Sequence, residues 1–167
     1  MDIQQISLDR IEKLHPKIKD EVKTAYLHVN KKLLGKGIKM GITQGLRTFK
    51  EQDALYNKKP KVTNAKGGQS LHNYGLAFDF AIYYDNDGDG IFEELSWSTT
   101  KDFDKDGQAD WMVVVQYFKS IGFEWGGDWT RMVDKPHFQK VFGYTWQRLL
   151  EKYNKKEFIE GGDYVKL

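Results

Sequence analysis

The sequence predicts an α+β fold, with helices packed on a small and mostly antiparallel sheet. Three observations carry that expectation. Apolar residues recur at helical spacing in two stretches, Ile18-Val22-Ala25-Val29-Leu33 and Trp146-Leu149-Leu150-Tyr153. Short runs at 38–42 and 77–84 have strand length and strand composition. No repeat interrupts the pattern except within one acidic segment, so 167 residues are expected to form a single domain, 1–167, with an insertion at about 85–110.

The elements follow in chain order. Ser7 is placed to cap a short first turn, and Pro16 fits the first position of a longer helix, where a missing N–H costs nothing. Gly35 and Gly37 end that helix. Ile38, Met40 and Ile42 alternate as in a strand. Thr48 and Glu51 form a capping box for a helix reaching about Tyr56. Residues 57–69 are polar, Lys-rich and end in Gly-Gly before Gln69, which predicts a long loop. After the strand at 77–84 and the acidic insertion, Trp111–Ile121 forms a helix stopped by Gly122. Short strands are expected at 123–125 and 136–141, followed by a closing amphipathic helix at 145–153.

Composition narrows the function classes. A formal net charge of +2 is too small to argue for nucleic acid as a partner. With no Cys there is neither a disulfide framework nor a thiolate metal site, so any metal would need His and carboxylate ligands. No stretch is long and apolar enough to insert in a bilayer, and the opening MDIQQISLDRIEKLHP lacks the apolar core of a signal peptide. The chain is expected to be a monomer made in the cytoplasm.

Chemistry concentrates around SLHNYGLAFDF, residues 70–80. Asp79 lies inside the apolar run Ala77–Ile82, where a carboxylate needs a positive partner or a shifted pKa. An Arg or Lys would serve, and so would a polar outer sheet face. Of the four histidines, His15 and His28 sit in helical surroundings that suggest solvated rings. His72 and His137 instead flank strand candidates, and with Asp79 they make a three-ligand set suited to zinc, with a fourth position free. Strand parity alone would put 72 and 79 on opposite faces; Gly75 permits the bend that lets both face one ion.

At this point a family resemblance becomes specific. Ser70-x-His72-x-x-Gly75-x-Ala77-x-Asp79 resembles the S-x-H-x-x-G-x-A-x-D signature of the D-Ala-D-Ala carboxypeptidase (VanY-like) zinc peptidases, and Asp134-x-x-His137 resembles their second motif. GLRTFKEQDALY (45–56) and FEWGGDWTRMVDKPHFQ (123–139) are similar to the L-alanyl-D-glutamate endopeptidase subgroup of cell-wall hydrolases and phage endolysins. The resemblance spans roughly residues 40–142. It implies the hedgehog/D-Ala-D-Ala peptidase-like fold and a zinc-dependent peptidoglycan hydrolase acting on the stem peptide, with the L-Ala–D-Glu bond as expected target. A D,D-carboxypeptidase and a non-catalytic metal-stabilised binding module are the alternatives.

By the same resemblance His72, Asp79 and His137 are the zinc ligands, Asp134 the general base, Arg47 the group facing substrate and oxyanion, and Ser70 a residue near the substrate. Glu124 is a rival for the base. Trp125 and Trp129 are candidate cleft walls, and Asp128 a candidate acceptor for the second ring nitrogen of a ligand. Release through a phage holin pore would bring such an enzyme to the cell wall.

The insertion repeats one acidic rhythm, D-x-D-x-D-G. Asp85, Asp87, Asp89 and Glu93 form the first set; Asp102, Asp104, Asp106 and Asp110 form the second. Alternating carboxylates with Gly at the sixth position suit the oxygen demand of calcium. Both runs resemble EF-hand and thrombospondin-type loops, but Ser96 and Val113 stand where an EF-hand has its bidentate Glu. A solvated acidic loop is the plain alternative.

Overall fold

The computed structural model describes residues 1–167. Its elements are helices α1 (Ile3–Glu12), α2 (Lys19–His28), α3 (Phe49–Tyr56), α4 (Asp110–Ser120) and α5 (Trp146–Asn154), and strands β1 (Ile38–Gln44), β2 (Ala77–Tyr84), β3 (Glu94–Ser96), β4 (Glu124–Trp125) and β5 (His137–Gln139). The α+β expectation holds, and every strand pairing is antiparallel.

Strand β2 is the centre of the sheet. It pairs with β1 along one side and with β5 and β3 along the other, giving the order β1-β2-β5-β4 with β3 beside the end of β2. Alternation along β2 sorts its faces. Phe78, Phe80, Ile82 and Tyr84 are buried on one of them, where Phe78 meets Phe118 edge-on and Phe80 lies over Trp111 of α4. Asp79 takes the other face. Burying such aromatic side chains contributes ~1.5–3 kcal/mol each, enough to fix the register of the strand that carries Asp79.

The outer edge of β1 is closed by side chains. Asn30 both donates to and accepts from the backbone of Met40, while Ser7 Oγ accepts from Ile42 N and Arg10 donates to Ile42 O. Those bonds satisfy groups that an exposed edge strand would present to a second sheet.

Several sequence expectations change. Ser7 is not a cap: Asp2 caps α1 by accepting from Gln5 N, and Ser7 is buried within the helix on the β1 edge. Pro16 lies in a helix-like turn whose bonds from Ile18 and Lys19 to His15 O lead into α2. Beyond His28 the helix widens into a π turn (Val29–Leu33), which swings Leu33 outward and leaves Leu34 in the core. The extra residue per turn rotates the stripe off its 3.6-residue period. His15 is not solvated but 1% exposed: its Nδ1 accepts from Lys17 N and its Nε2 donates to Val165 O. The acidic insertion is not wholly loop, since β3 pairs with β2 inside it. The Thr48–Glu51 capping box forms as expected, with both reciprocal bonds.

Candidate metal centre and cleft

The spacing of the first motif has a local cause. Ser70 begins a 3-10 turn over Leu71–Tyr74, where its Oγ accepts from His72 N and its backbone N donates to Asn73 Oδ1. Gly75 ends the turn in the left-handed region at φ 69°, and a Cβ there would stand 2.6 Å from His15 N. Only glycine satisfies both demands. The chain then enters β2, which delivers Asp79 four residues later. His72 therefore sits on a turn rather than a strand, and parity does not separate it from Asp79.

The second motif arrives through the sheet. Asp79 and His137 are direct cross-strand partners in the β2–β5 register, so their side chains share a face. Asp134 is placed by close backbone packing: Asp134 N donates to Gly126 O at 3.0 Å, and a Cβ on Gly126 would collide with the carbonyl oxygen of Asp134. A Cβ on Gly127 would strike the Trp125 ring, whose Nε1 donates to Lys135 O at 2.6 Å. The Gly-Gly pair thus lets one loop fold tightly over another and hold Asp134 beside His137.

The outcome is a compact donor set. His72 Nε2 lies 3.3 Å from Asp79 Oδ1, His137 Nδ1 lies 3.2 Å from the same oxygen, and the three ligand atoms all fall within 4.8 Å of one another. Both rings are buried and their outer nitrogens are held: His72 Nδ1 donates to Gly45 O at 2.9 Å, and His137 Nε2 meets Gln139 Oε1 at 2.8 Å. That leaves one lone pair of each ring aimed inward, as a metal ligand requires.

Charge agrees with geometry. Burial alone would raise the Asp79 pKa, but with the rings doubly protonated, hydrogen bonds from His137 and His72 outweigh it and hold the carboxyl well below the usual range. Burial opposes a charge on His137, yet Asp79 overcomes it and raises that ring's proton affinity. A negative focus that favours a proton there also favours a divalent cation, so the donor set fits a zinc ion.

The same cleft is lined by Arg47, Ser70, Trp129 and Asp134. Asp134 Oδ2 is 3.8 Å from His137 Nδ1, and burial followed by the Asp79 charge raises its pKa. Arg47 donates to Gln44 Oε1 through Nε and NH2 and to Gln52 Oε1 through NH1, at 3.3, 3.1 and 2.8 Å. Its partners are neutral amides, and no carboxylate lies in ion-pair contact with it. The Trp129 ring sits 5.2 Å from that of His137.

Other expectations are redirected. Glu124 does not line the cleft; its Oε2 accepts from Gln139 Nε2 at 3.2 Å. Asp128 accepts from Lys119 Nζ at 2.6 Å, so the ring-nitrogen acceptors are Gly45 O and Gln139 instead. Gln139, Gln52 and Gly45 were not singled out from the sequence. Gln139 had one available signal, its position two residues after His137 on the same strand face.

In the insertion, Asp85, Asp87, Asp89 and Glu93 converge, as do Asp102, Asp104 and Asp110. Asp106 stays outside the second group and accepts from Gln108 N. Asp110 is buried, with its Oδ2 accepting from Tyr84 OH and Phe103 N.

A family model described as D-alanyl-D-alanine carboxypeptidase matches residues 63–140. The peptidoglycan L-alanyl-D-glutamate endopeptidase CwlK of Bacillus subtilis is 44% identical over 136 residues, covering 77% of this chain and 74% of that protein. An L-alanyl-D-glutamate peptidase of Listeria phage A118 is 33% identical over 103 residues, covering 62% of this chain but 31% of the phage protein. Among solved structures, the Serratia marcescens L-Ala D-Glu endopeptidase ChiX superposes with a TM-score of 0.53 at 22% identity, covering 82% of this chain and 87% of that one, which shows the shared fold. With motif, donor set and relatives in agreement, the chain belongs to the D-alanyl-D-alanine carboxypeptidase family of metallopeptidases.

Proposed function

We propose that this cleft hydrolyses the peptidoglycan stem peptide at the bond between L-Ala and D-Glu, with zinc held by His72 Nε2, Asp79 and His137 Nδ1. The observation that carries the reading is the convergence of those three inward donors with Asp134 and Arg47 on the walls of one cleft. The naming of CwlK and of the phage A118 enzyme as L-alanyl-D-glutamate peptidases supports the choice of bond.

When bound, zinc supplies Lewis acidity and brings the pKa of water down to ~7. The chain's own groups do the rest. Asp134 accepts the proton of the attacking water and returns it to the departing amine nitrogen. Arg47, whose charge no carboxylate neutralises by contact, stabilises the developing oxyanion or grips a substrate carboxylate. Ser70 shapes the cleft wall and the turn that presents His72. The enzyme acts as a monomer on the cell wall. No helix is long and apolar enough to cross a membrane, and the phage relative supports an endolysin-like release through a holin pore as part of this proposal.

The acidic insertion is read as a site for calcium on Asp85, Asp87, Asp89 and Glu93, with a second on Asp102, Asp104 and Asp110. The support is the convergence of carboxylates with no Lys or Arg paired to Asp85, Asp87, Asp89 or Glu93.

The deciding experiment is mass spectrometry of peptidoglycan digested with and without a zinc chelator. Chelator-sensitive fragments with a new D-Glu amino terminus are expected. Released D-Ala would move the activity to a D,D-carboxypeptidase, and no cleavage by folded, zinc-loaded protein would leave a binding module.

A further inference from the structure

The two candidate histidine ligands are oriented by different means. His72 Nδ1 faces the carbonyl of Gly45 at 2.9 Å. A carbonyl only accepts, so the proton must sit on Nδ1 and the Nε2 lone pair must face Asp79. His137 has no backbone partner of that kind. Its Nε2 meets the side-chain amide of Gln139, and an amide can accept through oxygen or donate through nitrogen. On the inner side the Asp79 carboxylate, 3.2 Å from Nδ1, competes for the same proton, so what Gln139 presents to Nε2 tips the balance.

Glu124 removes the ambiguity. It pairs with Gln139 across the β4–β5 register, and its Oε2 lies 3.2 Å from Gln139 Nε2. A carboxylate only accepts, so the amide nitrogen turns toward Glu124 and the amide oxygen toward His137 at 2.8 Å. That oxygen calls for a proton on His137 Nε2, which frees the Nδ1 lone pair 3.2 Å from Asp79 Oδ1. With the amide reversed, the proton would move to Nδ1 and donate to Asp79. Both would then be spent on a bond to each other.

We propose that Glu124 is a positioning residue that sets the His137 tautomer through Gln139, keeping Nδ1 open as a metal ligand. The inference rests on the reading of His137 as a ligand and assigns Glu124 a role other than the general base. Outer partners of this kind typically change metal affinity by ~10–100-fold. Glu124 is exposed, so water competes and the effect belongs at about tenfold.

The test uses the full chain with two variants. Glu124→Gln keeps size but can present either a donor or an acceptor to Gln139. The swap Glu124→Gln with Gln139→Glu puts the acceptor-only group next to His137 and restores the direction of the chain. The first readout is the nitrogen-15 imidazole spectrum of zinc-free protein at alkaline pH. The second is zinc affinity by competition with a chromophoric chelator. The expected result is a larger Nε2–H fraction of His137 in wild type than in Glu124→Gln, about tenfold weaker zinc in that variant, and recovery of both in the swap. An Nε2–H fraction and a zinc affinity in Glu124→Gln equal to those of wild type would overturn the proposal. So would a swap variant that is no better than the single one. Wild type that fails to bind zinc would defeat the functional reading instead, while the tautomer spectrum would still decide the role of Glu124.

Discussion

Replacing Arg47 by Lys tests whether a planar guanidinium, rather than a positive charge alone, is what the cleft needs. Arg47 makes three hydrogen bonds, two to Gln44 Oε1 and one of 2.8 Å to Gln52 Oε1. Gln52 is fully buried and its Nε2 already donates to Ala65 O, so its oxygen depends on Arg47. One ammonium cannot span both amides. A buried acceptor left unpaired costs ~1–3 kcal/mol. For a chain of this length that lowers Tm by roughly 2–4 °C per kcal/mol. If the guanidinium also stabilises the transition state, kcat should fall by ~10²–10³ beyond any loss of folded protein. The assay is release of D-Glu amino termini from purified peptidoglycan at a temperature where calorimetry shows both proteins folded. The control is Gln52→Leu, which removes the buried acceptor without touching the charge. Arg47→Lys with kcat within about threefold of wild type would refute the reasoning. So would a Gln52→Leu loss as large as that of Arg47→Lys, which would reduce Arg47 to a scaffold.

Three further outcomes are expected. Gly126→Ala should lose ~1–3 kcal/mol of stability from overpacking, and its kcat should fall by ~10²-fold because the new Cβ displaces the Asp134 backbone; unchanged kcat would show that Asp134 is not positioned this way. Burial lowers the pKa of His15, so its stabilising contribution is complete above the unfolded value of ~6.5 and is lost as pH falls through that value toward the lower folded one. Denaturant titrations at neutral and mildly acid pH should show this slope reduced in His15→Gln relative to wild type, and equal slopes would remove His15 as the cause. Added calcium should raise the Tm of wild type but much less that of Asp85→Asn, whereas no shift in wild type would leave the insertion a solvated loop.

Much of the fold was legible because its signals are local. The Thr48–Glu51 capping box forms both of its bonds, and β2 runs over the predicted residues 77–84. The helix Asp110–Ser120, followed by Gly122, differs from the expected 111–121 by one residue at each end. Where the reading failed, a tertiary contact had replaced a local one. Ser7 looked like a cap because Ser favours that role, yet the β1 edge supplied Ile42 N as a partner buried between helix and strand. His15 looked solvated next to Pro16 until the C-terminal segment returned to place Val165 O on its ring. The π turn after α2 follows from nothing in the 3.6-residue stripe.

At the site the division follows the same physics. Sequence by itself determined the inventory: two imidazoles and a carboxylate, an Arg, a second acid three residues before His137, and the Ser and Gly that bracket the His72 turn. Those are matters of residue chemistry and short-range backbone geometry, which spacing records directly. Only the tertiary structure decided that Asp79 and His137 would be cross-strand partners, and that Gly126 would let Asp134 lie against its backbone. The same holds for Arg47 leaning on two amides and for Glu124 turning from rival base into the partner of Gln139. Register and approach between segments tens of residues apart depend on how the buried faces of β2 and α4 pack, and no local pattern in the chain encodes that distance.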